Sequence, residues 1–424
     1  MWLLNTETHV LEEFSEAQVS SRSYAILSHV WGSEEISFKD FEGNQAGLRS
    51  RRGWGKIVRF CDTARKHGLS HAWIDTCCID KRNSADLTEA INSMYRYYYS
   101  AAACFIYLED VHPSVKQEAD SLSSLAAARA QLLEAVRATR WISRGWTLQE
   151  LLAPKRRCFL AADWSEIEDG DDLLGAIEES TGIDMAVLKD RDLISNLCVG
   201  ERMKWASKRQ TTREEDMAYS LMGLFNVNMP VMYGEGPTSA FKRLQREIMQ
   251  SSFDMTIFAW RGDYSSSGML AKSPADFADI PPLGLWAPVS VSPYLMTNVG
   301  LSIRLNITNR QQIEERQFKK LPQGAILRAA LQCDVQTPTG QWEIPMIYLR
   351  PVARAHFFVN GKECRAYRRV QCAEWVTLPS KQLVGCPYED VLVLQDEHYD
   401  LVRNATEHHN SRRVLSEKTM KPSK

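Results

Sequence analysis

No run in this 424-residue chain approaches the roughly 20 consecutive apolar residues that cross a bilayer, so no membrane-spanning helix is expected. Charge of one sign is lacking too. The 51 Lys and Arg stand against 53 Asp and Glu, a formal net charge of −2, and no global basic field points to nucleic acid. The opening Met1-Trp-Leu-Leu-Asn-Thr-Glu-Thr-His9 has neither a basic region nor an apolar core of signal-peptide length. The 10 cysteines form no Cys-x-x-Cys pair. Cys61, Cys104 and Cys158 lie within apolar runs and read as buried free thiols, which predicts a reducing, cytoplasmic setting. His and Cys show no ligand spacing, so no metal site is expected. The glycine-rich Met232-Tyr-Gly-Glu-Gly-Pro237 lacks the strand before it, the helix after it and the Lys-Ser/Thr of a phosphate-binding loop. No internal repeat is present.

What remains is an ordinary globular composition, 44% hydrophobic and 25% charged, in a chain long enough for two or three domains. The 12 tryptophans are numerous, and several fall in loops where an amphipathic ring lines a cleft. The first half alternates strand and helix. Tyr24-Ala-Ile-Leu-Ser-His-Val, Ala72-Trp-Ile-Asp-Thr-Cys-Cys-Ile, Ala103-Cys-Phe-Ile-Tyr-Leu and Arg157-Cys-Phe-Leu read as buried strands. Between them, Lys56–His67 places Ile57, Phe60, Cys61 and Ala64 on one helical face with Gly68 as its C-cap. Asp86-Leu-Thr-Glu89 resembles a capping box. It opens a helix that buries Leu87, Ile91, Met94, Tyr95 and Tyr98. Val115–Arg137 reads as an insertion ending in a helix. Unalternating strands separated by helices predict a parallel sheet covered on both faces. A helical extension follows from about Asp171, in which Thr211-Thr-Arg-Glu214 caps a helix carrying Met217, Leu221 and Leu224.

After about Trp260, glycine and proline punctuation rises and strands recur. Leu301, Ile303, Leu305 and Ile307 alternate as a half-buried antiparallel strand, and a small sandwich or barrel is expected. The expected domains are 1–260 (α/β with its helical extension), 261–404 (β-rich) and 405–424, a polar disordered tail.

Ser143-Arg-Gly-Trp-Thr-Leu-Gln-Glu-Leu-Leu-Ala-Pro154 carries the most chemistry. Trp146 and Glu150 are four residues apart, so one helical face sets an aromatic plane beside a carboxylate, and Pro154 ends the helix. Such a pair holds a flat ligand and stabilises positive charge developing on it. In an open parallel sheet, ligands sit beyond the carboxyl ends of the strands. Ser28 and His29 end the first strand, Asp75 ends the second and Glu150 opens a helix beyond the third, so all converge on one cleft. Each also has a structural reading. Ser28 bonds a strand end, His29 packs on Trp31, Asp75 caps a loop and Arg144 pairs with Asp75 or Glu150. Cys77-Cys78 reads as core and loop rather than a thiol nucleophile, and Tyr233-Gly-Glu-Gly as a turn packed on the α/β core.

Four local signatures occur in order: Leu27-Ser-His-Val-Trp-Gly32, Trp73-Ile-Asp-Thr-Cys-Cys-Ile-Asp80, Arg144-Gly-Trp-Thr-Leu-Gln-Glu-Leu151 and Met232-Tyr-Gly-Glu-Gly236. With them the chain resembles the fungal heterokaryon incompatibility (HET) domain family, whose members trigger cell death when unlike hyphae fuse. HET domains in turn resemble TIR domains, a flavodoxin-like α/β fold. Tyr24-Ala-Ile-Leu-Ser-His-Val-Trp-Gly aligns with the first TIR strand, Trp73-Ile-Asp-Thr with a Phe-Ile-Asp-Asp strand end, and Trp146-Thr-Leu-Gln-Glu150-Leu with Trp-Cys-Leu-Asp-Glu-Leu around the catalytic Glu. The arginine of the first TIR strand motif has no counterpart here.

The resemblance implies an effector of cell death that hydrolyses NAD+, a substrate rather than a cofactor, to nicotinamide and ADP-ribose. Glu150 would be the essential carboxylate, with Ser28, His29, Trp31, Gly32, Asp75, Arg144 and Trp146 binding substrate. It further implies self-association on activation and a partner incompatibility protein. The second reading is a non-enzymatic assembly module of the same pathway. A third is that the β-rich half senses a partner or ligand and restrains the first half.

Overall fold

The computed structural model describes residues 1–42, 45–113, 122–285, 293–308, 326–359, 361–374 and 376–396. The expected tail, 405–424, lies outside them. Two compact units divide the chain. One is Met1–Leu197 with Lys208–Leu244, the other Cys198–Ser207 with Gln245–Lys424. Among the described residues no helix is long and apolar enough to cross a membrane.

The first unit is built on a seven-stranded sheet: β1 (Trp2–Asn5), β2 (Leu11–Glu13), β3 (Ala25–His29), β4 (His71–Trp73), β5 (Ala103–Tyr107), β6 (Arg157–Leu160) and β7 (Glu166–Ile167), in the order β2-β1-β4-β3-β5-β6-β7. The four runs read from sequence are its parallel centre. β3 pairs with β4 and β5, and β5 with β6, all in parallel. β3 and β5 are buried along their whole length, as strands covered on both faces must be.

The sheet is mixed rather than purely parallel. The β1–β2 hairpin pairs antiparallel along β4, and β7 along β6. The N-terminal hairpin leaves little signal in sequence, because its strands are short and Leu11–Glu13 carries two acids. The parallel strands, in chain order, lie second-first-third-fourth. The direction of winding therefore reverses between β3 and β5, the switch point at which open α/β sheets bind ligands.

The second strand is shorter than its apolar run suggests. It stops at Trp73. The N–H groups of Cys77 and Cys78 then fold back onto the Ile74 carbonyl at 3.3 and 2.8 Å, leaving Asp75 in a turn. Both thiols are buried, as expected of core residues. The Trp54–Lys66 helix buries the expected face and closes on Gly68 at φ +75. The next helix is Ser84–Ser100. It begins before the expected box, because the Asn83 side chain accepts the Ala85 N–H at 3.0 Å and caps it. The box expected at Thr211–Glu214 does not form. Thr211 Oγ1 donates instead to the Arg213 carbonyl at 2.6 Å, and the helix there is only Asp216–Tyr219.

The second unit contains a closed barrel, so the choice between sandwich and barrel resolves to barrel. β11 (Gly300–Ile307) pairs with β12 (Leu327–Ala330), β12 with β14 (Trp342–Val359), β14 with β15 (Lys362–Val370), β15 with β17 (Tyr388–Leu394) and β17 with β11. Short strands, β8 (Ser266–Ser267), β9 (Leu283–Leu285), β10 (Leu295–Met296), β13 (Cys333–Gln336) and β16 (Val376–Leu378), extend the sheet at its margin. The expected alternation in β11 holds, with Leu301, Ile303 and Leu305 inside and Arg304 exposed.

Arg369 is the largest charged side chain in this core, 2% exposed. Its Nη1 and Nη2 donate to the Phe258 and Trp260 carbonyls at 2.9 and 2.6 Å, and its guanidinium carbon lies 3.8 Å from the centre of the Trp260 ring. Burial lowers its pKa to about 10. Arg369→Met leaves those carbonyls without a donor. It is expected to lower the stability of this unit by roughly 2–4 kcal/mol, read as a lower urea midpoint. An unchanged midpoint would show that Arg369 contributes nothing there.

Candidate active site

A cavity of about 250 Å³ opens at the switch point of the first unit. It brings together six of the eight residues singled out from sequence: His29, Trp31, Asp75, Arg144, Trp146 and Glu150. Its apolar wall is Leu87, Ile91 and Met94 of the Ser84–Ser100 helix. Ser28 and Gly32 do not line it.

Glu150 sits on the Thr147–Leu152 helix and is 8% exposed. Ser28, fully buried at the end of β3, donates to Glu150 Oε2 and accepts the Trp141 indole N–H at 2.7 Å. Ser28 thus lies behind the carboxyl and orients it instead of touching the cavity. The Tyr98 hydroxyl lies beside the same carboxyl and donates to the Leu27 carbonyl at 3.0 Å. Burial pushes the Glu150 carboxyl up to about 8. The Asp75 charge adds to the rise, while Ser28, Tyr98 and the Arg209 charge oppose it. Such a group holds its proton at neutral pH, and a cation placed beside it favours its ionised form.

Arg209 is the cation that Glu150 feels. It is 6% exposed, and burial draws its pKa down to about 9 against the pull of Glu150. Its Nη1 donates to the Arg144 carbonyl at 2.9 Å and to Thr147 Oγ1 at 3.0 Å, bracing the start of the helix that carries Glu150. Arg144, expected to pair with Asp75 or Glu150, donates to Thr212 Oγ1 at 2.8 Å instead. Backbone bonds explain the placement. The Gly145 N–H reaches the Gln210 carbonyl at 2.8 Å and the Gln210 N–H reaches the Ser143 carbonyl at 2.7 Å. A bridge between residues 144 and 210 thereby lays Lys208–Arg213 along the helix start.

On the β3 side, His29 is held between acids rather than against Trp31. Its Nδ1 is 3.9 Å from Asp75 Oδ1 and its Nε2 3.7 Å from Glu35 Oε1. Burial raises Glu35, but the His29 ring and the Lys56 ammonium outweigh it and hold its carboxyl at about 2. Gly32 gives its N–H to Glu35 Oε1 at 2.7 Å, so its part is to shape the loop. Trp31, 55% exposed, donates from Nε1 to Asp75 Oδ2 at 2.7 Å. Trp146 lines the cavity with its Nε1 donating to Asp216 Oδ2 at 3.2 Å.

Sequence reasoning missed the far wall: Thr212, Arg213, Asp216 and Tyr233. The Tyr233 hydroxyl donates to Asp216 Oδ1 at 2.9 Å. Burial raises the Asp216 carboxyl against the hydrogen bonds from Tyr233 and Trp146. Tyr233 belongs to the glycine-rich loop read as a packed turn. That loop is tied down by Glu215 Oε1, which accepts the Gly234 and Gly236 N–H groups at 2.9 and 3.3 Å, with both glycines at positive φ. The signal available in sequence was the fourth signature itself, a Tyr before two glycines. Contrary to expectation a helix, Pro237–Ser251, does follow the loop, but the Lys-Ser/Thr of a phosphate-binding loop is absent from it.

Among the described residues, the cluster able to hold a metal lies away from this cavity. His67, Cys158 and Glu166 each bring one donor atom within 4.8 Å of the others. Burial keeps the Cys158 thiol protonated, which makes it a poor ligand, and His67 Nε2 already faces Glu166 Oε1 at 3.4 Å.

Residues 24–150 match the family described as heterokaryon incompatibility protein (HET), and residues 239–284 match a domain of unknown function, DUF8212. Over 228 residues the chain is 46% identical to vegetative incompatibility protein HET-E-1 of Podospora anserina. That match takes in 53% of this chain and 16% of the relative's own length. No solved structure matches. The family match runs from the start of the first parallel strand to the pocket carboxyl itself. Residues 24–150 are thus the part of the chain that carries a heterokaryon incompatibility (HET) domain, and over 53% of its length the chain is similar to an incompatibility protein.

Proposed function

We propose that the chain is an effector of heterokaryon incompatibility that hydrolyses NAD+ to nicotinamide and ADP-ribose in this pocket. The observation that carries the reading is Glu150, a buried carboxyl at the floor of a cavity lined by aromatics, held by Ser28 and raised to about 8. The order of the parallel strands and the register of Trp146–Leu151 on the TIR motif support a TIR-like fold for this unit.

Substrate carries a pyridinium cation, which favours ionised Glu150. The bond between ribose C1′ and the ring nitrogen breaks with its electron pair going to nitrogen, so neutral nicotinamide leaves. Positive charge then spreads over C1′ and the ribose ring oxygen, where the Glu150 carboxylate stabilises it. Water adds to C1′ and its proton passes to Glu150, whose raised pKa makes it an effective base near neutrality. Trp146 and Trp31 offer aromatic surfaces to the flat rings. Self-association, as in the TIR enzymes the motifs resemble, would complete the site on activation, and a partner incompatibility protein would supply the trigger.

The test is nicotinamide release from NAD+ by the purified chain at high concentration, followed by chromatography. Glu150→Gln is expected to lower it at least about 100-fold. Equal turnover by both proteins overturns the assignment. No release from either, together with no rise in melting temperature on adding NAD+, favours the assembly-module reading, because a ligand that binds the folded state must stabilise it.

A further inference from the structure

The pocket keeps its opposite charges apart. Its carboxyls are engaged by neutral donors: Asp75 by the Trp31 indole at 2.7 Å, Asp216 by the Trp146 indole at 3.2 Å and the Tyr233 hydroxyl at 2.9 Å, and Glu150 by Ser28. Its cations are engaged by neutral partners as well. The Lys81 ammonium lies 3.6 Å from the centre of the Trp31 ring and the Arg213 guanidinium carbon 4.0 Å from that of Tyr233, while Arg144 bonds the Thr212 hydroxyl. Trp31 and Tyr233 thus play matching parts, each carrying a cation on its face and giving its N–H or O–H to a carboxyl. Among the described residues, none of the three cations pairs with a carboxylate.

Cations gathered around one cavity repel one another until an anion arrives, and in a partly desolvated cleft that repulsion is larger than on open surface. The acids on hand relieve it only in part. Asp75 and Asp216 feel Lys81 and Arg213 through space, yet each accepts its hydrogen bonds from neutral donors. A site built this way suits a ligand with a cationic head for the acids and a compact polyanion for the bases.

We propose that Lys81, Arg144 and Arg213 form a diphosphate subsite, so that the pocket takes a dinucleotide through its pyrophosphate linkage and discriminates against a nucleoside that lacks one. The identity of the cationic head rests on the NAD+ reading; the anion chemistry does not. Arg213 presents a planar fork suited to bidentate phosphate contacts, and Lys81 a point charge. Their aromatic platforms hold both heads without neutralising them.

The experiment measures binding by calorimetry to the full chain and to its Arg213→Met and Lys81→Met variants, both at exposed positions that a Met side chain can occupy without disturbing the core. The probes are ADP-ribose, inorganic pyrophosphate and nicotinamide riboside. ADP-ribose and pyrophosphate are expected to bind competitively, to weaken about 10-fold with each cation removed, and to weaken with added salt. Nicotinamide riboside affinity is expected to stay the same in all three proteins. ADP-ribose affinity within two-fold of wild type in both variants overturns the subsite, as does failure of pyrophosphate to compete. Pyrophosphate binding as tightly as ADP-ribose would show that the site reads the linkage alone; tighter ADP-ribose would show that the nucleoside halves contribute too. A chain that releases no nicotinamide but loses ADP-ribose binding on Arg213→Met keeps the subsite and loses the hydrolase reading. One that cleaves NAD+ and nicotinamide riboside with equal kcat/KM in every variant does the reverse.

Discussion

Glu150→Gln should cost the protein its NAD+ cleavage while making it more stable, and the gain should appear only as pH rises. In the folded protein the Glu150 carboxyl keeps its proton to about 8, against 4.5 for the same group in an ordinary setting. Between those values the folded state binds a proton that the unfolded chain has released. Stability therefore falls as pH rises through this window and levels off above about 8. At about 1.4 kcal/mol per pH unit, the charged carboxyl weakens the fold by on the order of 5 kcal/mol at most. Glutamine has the same shape, still accepts from Ser28 and carries no charge. The variant should match wild type near pH 5 and exceed it at pH 9, with a melting temperature higher by roughly 5–15 °C. Parallel curves of melting temperature against pH for the two proteins would show that Glu150 is not held in its neutral form. A buried carboxyl that weakens its own fold in this way marks the pocket as a candidate functional site.

Gly223→Ala should destabilise the same unit by about 3 kcal/mol or more, with loss of ligand binding. An added Cβ would meet Tyr95 Cβ at 2.0 Å and Tyr95 Cγ at 2.7 Å. A rotamer change of Tyr95 relieves only the second contact, because Cβ is fixed by the backbone. The Ser84–Ser100 helix must then retreat from Gly223, and it is this helix that supplies Leu87, Ile91 and Met94 to the cavity. Gly175→Ala is the control. Gly175 lies inside the Asp171–Thr181 helix, and the nearest atom to its added Cβ is Met185 Cε at 3.7 Å. That change should raise stability by up to about 1 kcal/mol. Urea midpoints moving in opposite directions bear out both statements. A Gly223→Ala protein with the wild-type midpoint and NAD+ affinity would show that the helix accommodates the methyl group.

The places where local patterns misled share a cause. Asp86–Glu89 and Thr211–Glu214 both have the spacing of a capping box. In one case Asn83 captures the helix start, and in the other the Thr211 hydroxyl is taken by the Arg213 carbonyl. Spacing gives the opportunity for a cap, and competition among nearby polar groups decides which is used. The apolar run after Ala72 reads as strand to Ile79, yet the chain turns at Ile74 because its carbonyl draws in two following N–H groups.

By itself the sequence determined the elements whose information is local. The four buried strands follow from short apolar runs, and the helices between them, the alternation in β11 and the helix carrying Glu150 follow from periods that neighbouring residues impose. The four signatures, in order, named the family. The tertiary structure alone decided the composition and charge of the pocket. Ser28 reaches Glu150 across 122 residues and Trp141 reaches Ser28 across 113. Trp146 meets Asp216 across 70 residues, and a two-bond bridge swings Arg213 into reach. No local period encodes such meetings. They follow from which strands lie side by side at the switch point, and the ionisation of Glu150 follows from how completely those distant residues exclude water from it.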